Sequence, residues 1–84
     1  MIRILVVCMG NICRSPTASA VLQGEVQRRG LARTVQVDSA GTYAGHQGEK
    51  ADKRAIQVAV AAGYGQIHQE RARRVQAQDY ERCD

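Results

Sequence analysis

A parallel α/β sheet with flanking helices is the fold class that three features of this chain predict. They are a short apolar run at residues 2–7, an alternating stretch at 34–40, and helical spacing of apolar residues after each. Ile2-Arg3-Ile4-Leu5-Val6-Val7 is β-branched and almost unbroken, as expected of a strand buried on both faces. Residues 8–15 then read as a loop. Ser15 suits a helix N-cap, and Pro16 suits the first helical turn. Ala18, Val21, Leu22 and Val26 recur at helical spacing, and Gly30 fits a left-handed stop. In the second strand, residues 34–40, Val35 and Val37 alternate with Gln36 and Asp38. A Gly-containing loop spans 41–50. Asp52 is placed to cap a second helix, with Ile56, Ala59 and Val60 on its apolar face and Gly63 at its end. Beyond Gly63 the pattern thins until a short helical stretch over 78–84. Two strands make a poor sheet. Residues 1–84 are therefore expected to form a single partial domain that stops before the later strands of its fold.

Composition narrows the function classes. With 44% hydrophobic and 24% charged residues the chain is not of the disordered class. No apolar run approaches the ~20 residues of a membrane span, so no membrane partner is expected. The net charge of +4 fits an anionic partner, either a phosphate ester or a nucleic acid. Arg71, Arg73 and Arg74 form the tight basic cluster, but no stacking aromatics lie among them. That argues against nucleic acid and leaves the cluster as a solvated face. Three cysteines, an odd number with no export signal, predict reduced thiols in a cytoplasmic protein. Cys8, Cys13 and Cys83 with two scattered histidines do not supply a zinc set, so no metal and no cofactor is expected.

The chemistry is expected in Cys8-Met9-Gly10-Asn11-Ile12-Cys13-Arg14-Ser15, between a buried strand and a helix, where parallel α/β proteins bind ligands. If the loop curls with its N–H groups inward, it forms an anion cup at the positive end of the helix. Gly10 and Asn11 are residue types that tolerate the positive φ such a curl needs. Arg14 can add a planar fork for two phosphate oxygens. Cys8 would lie at the bottom, where amides, helix and guanidinium all favour a thiolate, and Ser15 could donate one more hydrogen bond. A cup that binds a phosphate dianion and also activates a thiolate points to a nucleophile aimed at phosphorus.

This segment resembles the signature of the low-molecular-weight protein tyrosine phosphatases: Cys, five residues, Arg, Ser, with Gly-Asn-Ile-Cys inside and Pro-Thr-Ala after. The likeness continues through Val37-Asp38-Ser39-Ala40-Gly41-Thr42, Gly48, Asp52, Arg54-Ala55, Ala72-Arg73 and Val75. It implies a three-layer, phosphatase-like α/β domain, of which this chain covers about the first half. It further implies that Cys8 is the nucleophile and that Arg14 and the amides of Met9, Gly10, Asn11, Ile12, Cys13 and Arg14 hold the phosphoryl group. Ser15 assists the thiolate. Asn11, supported by Ser39 and His68, keeps the loop in shape. Cys13 is implied as a redox partner that traps oxidised Cys8, although by itself it reads as readily as a small packed residue. The implied substrates are phosphotyrosine proteins or aryl phosphates, with inorganic phosphate as ligand and no metal.

The chain also departs from that pattern. The family's general acid is an Asp followed by Pro, whereas Pro16, the one proline here, follows Ser15. Impaired hydrolysis is therefore expected. Gly45 stands where many relatives carry an aromatic, although Tyr43 and His46 are close by. In the family a third strand pairs with the far edge of the first. Residues 2–7 would then present an open apolar edge, and self-association through it is expected. Two other readings remain: a thiol-dependent arsenate reductase of the same fold, using Cys83, and a non-catalytic phosphate-binding fragment.

Overall fold

The computed structural model describes residues 1–43 and 45–84. The order is β1 (Ile2–Cys8), α1 (Arg14–Arg28), β2 (Val35–Gly41), α2 (Lys53–Ala61), a 3₁₀ turn (Gly65–Gln69) and α3 (Ala77–Arg82). β1 and β2 pair in parallel, from Ile2 opposite Val35 to Cys8 opposite Gly41. β1 runs one residue further than the sequence pattern suggests, and β2 both begins and ends one residue later. α1 is the crossover and lies on both strands, while α2 packs on α1 and on the 3₁₀ turn. No helix among the described residues is long and apolar enough to cross a membrane.

Two helix ends follow their local chemistry. Asp52 caps α2, its carboxylate accepting the N–H groups of Arg54 and Ala55 at 3.0 and 3.2 Å. Gly30 and Gly63 both take left-handed φ, 71° and 96°. Around each, paired N–H groups return to the last turn, Leu31 to Val26 after α1 and Tyr64 to Ala59 after α2, which ends the helix.

Three expectations give way. β1 is not buried on both faces: Ile2, Arg3 and Val7 are exposed and the rest is half-buried. Arg3, Leu5 and Val7 turn their backbone groups away from β2, and of these Arg3 is met by Asp84, whose N–H donates to Arg3 O at 2.9 Å. α1 begins at Arg14 with Cys13 as its cap residue, so Ser15 lies inside the helix rather than before it. Its hydroxyl is committed elsewhere, as described below.

The buried stripe of α1 is also different. Ser15, Ser19 and Ala20 are buried, with Gln23 half-buried one turn on, whereas Leu22 reaches solvent. Ser15, Ser19 and Gln23 are spaced four apart and share one helix face. A polar stripe turns inward because it meets a buried polar network, which an apolar stripe could not satisfy. The apolar core is correspondingly small: Ala20, Ala51, Ala55, Ala59 and Ile67, with Ile56 and Tyr64 against it. Val60 and Tyr80 are exposed instead.

Candidate active site

The sulfur of Cys8 sits at the end of β1 and is enclosed from the loop side. Asn11 N–H donates to it at 3.2 Å, and Ser15 Oγ lies at 3.0 Å. The loop makes this turn through Asn11, whose φ is 58°. Gly10 does not share the positive φ expected of it. A side chain there would meet His46, its Cβ 3.4 Å from Cδ2. Among the described residues, the N–H groups of Met9, Gly10, Ile12, Cys13 and Arg14 meet no protein acceptor. Exposed Arg14 stands beside the thiol and acts on it by charge, while Cys13 is exposed and unpaired. The loop is clamped from both sides. Tyr43 N–H donates to Met9 O at 2.9 Å, and Asp52 N–H donates to Ile12 O at 2.6 Å. Gly41 is pressed so close that a Cβ would stand 2.6 Å from Met9 O, which restricts the position to glycine.

Desolvation by burial raises the Cys8 pKa, but it is outweighed. The Ser15 hydroxyl and N–H, the Asn11 N–H and the positive charge of Arg14 together hold the thiol below its ordinary value. The sign of the pH effect follows. Between the folded-state pKa and the ordinary thiol value, the unfolded chain binds more protons at Cys8 than the folded one. Stability from this group therefore rises with pH across that window, and it is lost as pH falls through the folded value. Alkylation of Cys8 by iodoacetamide is expected to reach half its maximal rate at a lower pH than that of a thiol in the urea-unfolded chain. Coincident profiles would contradict this.

Asn11 is 1% exposed and organises what lies behind the sulfur. Arg73 N–H donates to Asn11 Oδ1 at 2.9 Å, so Nδ2 must face the other way. It donates to Ser15 Oγ at 2.7 Å and to Ser39 Oγ at 2.9 Å. Ser39 in turn donates to Glu70 Oε1 at 2.6 Å, and Gln23 Nε2 donates to Glu70 Oε2 at 3.2 Å. His68, expected to support the loop, does not take part. It is exposed on the 3₁₀ turn, and its carbonyl accepts Arg71 Nη1. The turn carries its side chain outward and brings Glu70 in, which fills the place expected of a histidine.

The basic cluster is likewise more than a solvated face. Arg73 is half-buried and grips the Asp79 carboxylate with both Nη atoms at 3.0 Å, with Asp38 at 3.1 Å from Nη2. Hydrogen bonding from Arg73, aided by the Gln76 N–H, holds the Asp79 carboxyl below the usual range. This clamp joins α3 to β2 and positions the backbone N–H that orients Asn11. Cys83 lies beside Arg3 at the opposite end of β1 from Cys8. Five strand steps separate Arg3 from Cys8, about 16 Å, so Cys83 is beyond disulfide reach of Cys8 in this conformation.

A thiol in an amide-lined loop, opening a helix at the carboxyl end of a parallel strand, defines the class of phosphate-loop cysteine proteins. Residues 3–84 match the profile of the low molecular weight phosphotyrosine protein phosphatases, and the chain belongs to that family. It is 46% identical over 82 residues to a low molecular weight protein-tyrosine-phosphatase of Streptomyces coelicolor, covering 98% of this chain and 49% of that one. A low molecular weight phosphotyrosine protein phosphatase of Schizosaccharomyces pombe is 43% identical over 84 residues, covering 99% and 53%. A product-state-mimic crystal structure of an Entamoeba histolytica protein tyrosine phosphatase superposes with a TM-score of 0.94 at 38% identity, over 100% of this chain and 53% of that one. The chain thus spans about half the length of the curated relatives it matches.

Proposed function

We propose that this protein hydrolyses phosphate monoesters of the phosphotyrosine class through a phosphocysteine on Cys8. The observation that carries the reading is the sulfur itself, held by Asn11 N–H and Ser15 Oγ beneath amides that meet no acceptor among the described residues. Those amides and the Arg14 fork bind the phosphoryl oxygens and stabilise the charge that builds on them in the transition state. The thiolate attacks phosphorus in line with the ester oxygen. The S–P bond forms as the P–O bond breaks, and the bonding pair leaves on the alcohol oxygen. Water then attacks phosphorus, the S–P pair returns to sulfur, and inorganic phosphate departs. Ser15 steadies the returning thiolate. Trapping of oxidised Cys8 by exposed Cys13, in a reducing cytoplasmic setting, belongs to the same reading: the Cys13 thiol condenses with a Cys8 sulfenic acid left by peroxide, forming the disulfide and releasing water.

An aryl group finds a partner at the rim. The Tyr43 ring is exposed, packs edge-on against His46 with centroids 6.2 Å apart, and lies over Gly45, where any side chain would collide with it. Phosphotyrosine proteins and aryl phosphates are the substrates this rim favours. Self-association is proposed along β1, where Leu5 and Val7 leave backbone groups unpaired among the described residues.

These 84 residues hold no Asp-Pro pair to protonate the leaving group. They are expected to turn over p-nitrophenyl phosphate better than an alkyl phosphate by about 10²–10⁴-fold more than an enzyme with a general acid does. Rates that are equally impaired across leaving groups of very different pKa would overturn that expectation. Mass-spectrometric detection of a phosphate adduct on Cys8 after acid quench tests the intermediate, and its absence during turnover would reject the mechanism.

A further inference from the structure

We propose that Glu70 is a positioning residue for Cys8: as terminal acceptor of a buried hydrogen-bond tree, it holds Asn11 in the conformation that leaves Ser15 free to donate to the sulfur. The inference rests on the reading of Cys8 as a thiolate nucleophile, and deepens it.

The direction of every bond in the tree can be deduced. Arg73 N–H can only donate, so the Asn11 atom facing it is Oδ1. Asn11 Nδ2 therefore spends its two hydrogens on Ser15 and Ser39. Ser15 accepts from Asn11, and its own proton remains for Cys8. Ser39 also accepts from Asn11, and its proton must find an acceptor elsewhere. Glu70 supplies it at 2.6 Å. An ionised carboxylate only accepts, so Ser39 cannot turn its proton back on Asn11. Two branches thus leave Asn11, one ending on a sulfur and one on a carboxylate.

Glu70 is built into this place. It is 8% exposed, and its second oxygen accepts Gln23 Nε2, which Ser19 Oγ also holds at 2.9 Å. The inward polar stripe of α1 thereby fixes the carboxylate, the carboxylate fixes Ser39, and Ser39 fixes the amide of a residue at φ 58°. Without the acceptor, the Ser39 proton competes for the space of the Asn11 hydrogen, and the loop loses one of the anchors that oppose its backbone strain.

The test is iodoacetamide alkylation of Cys8 at neutral pH, read at that residue by peptide mass spectrometry, with thermal unfolding followed on the same samples. Glu70→Leu is expected to slow alkylation of Cys8 by about three- to tenfold. Glu70→Gln is expected to recover most of the rate, because its Oε1 still accepts from Ser39. Ser39→Ala is expected to slow the reaction as Glu70→Leu does, and the double variant to add little, since both cut one branch. A residue that served stability alone would move the unfolding temperature and leave the alkylation rate of the folded protein where it was. Full reactivity in folded Glu70→Leu overturns the proposal. So does a Glu70→Gln protein as slow as Glu70→Leu, which would show that an acceptor for Ser39 is not enough. If Glu70→Leu does not fold, undiminished reactivity in Ser39→Ala overturns it. Failure of the underlying reading looks different: Cys8 of the unaltered protein would then react no faster than Cys83.

Discussion

Cys8→Ser is expected to lose turnover of p-nitrophenyl phosphate by about 10⁴-fold or more, and to keep its affinity for inorganic phosphate within a few-fold. A serine hydroxyl is scarcely ionised near neutrality, and among the described residues no base stands behind position 8 to deprotonate it. Ser15 and Asn11 N–H are both oriented to donate. The loop amides and the Arg14 guanidinium, by contrast, remain in place, and in the proposed mechanism they are the groups that hold the anion. Steady-state kinetics and calorimetric phosphate titration of the two proteins separate these effects. Substantial residual turnover would show that Cys8 is not the nucleophile. Joint loss of turnover and phosphate affinity would show that the thiolate shapes the cup as well as attacking from it.

Asn11→Ala is expected to cost about 2–4 kcal/mol of folding stability, a large share of what a domain this small can hold. Two causes add. Alanine at φ 58° bears the left-handed penalty of about 1–2 kcal/mol. Removal of the amide also leaves the Arg73 N–H without its acceptor, and Ser15 and Ser39 without their donor, in a site that is almost fully buried. Asn11→Gly distinguishes the causes, because glycine removes the backbone penalty but not the lost bonds. Its stability should fall between those of the alanine variant and the original protein. Urea unfolding of the three proteins measures this. Equal stability of the glycine variant and the original would mean that the amide contributes nothing and the backbone everything.

Legibility in the sequence followed how local each cause is. The strand–loop–helix order needs only neighbouring residues: β-branched apolar side chains for β1, Gly30 and Gly63 to end helices, and Asp52 to begin one. The loop was readable for the same reason, since Cys8, Asn11, Arg14 and Ser15 lie within one turn of chain. Glu70 was not readable. It reaches Ser39 across 31 positions, and nothing adjacent to it marks a buried carboxylate. The family resemblance implies His68, two positions away, but the 3₁₀ turn leaves His68 exposed and Glu70 buried. Arg73 was hidden similarly, because an arginine among arginines looks solvated until Asp38 and Asp79 are seen to meet it. Ser15, Ser19 and Gln23 at intervals of four put three polar residues on one face of α1, a pattern that fits a helix turned toward a polar interior.

The order of elements, the position of the phosphate-binding loop and the identity of its thiol were determined by the sequence alone, because each depends on backbone preferences and side-chain chemistry within a few residues. The direction in which Ser15 donates, the anchoring of Asn11 and the partners of Arg73 were decided only in the folded chain. Those depend on which donor meets which acceptor across tens of residues, and a hydrogen bond acquires its direction from the far partner as much as from the near one.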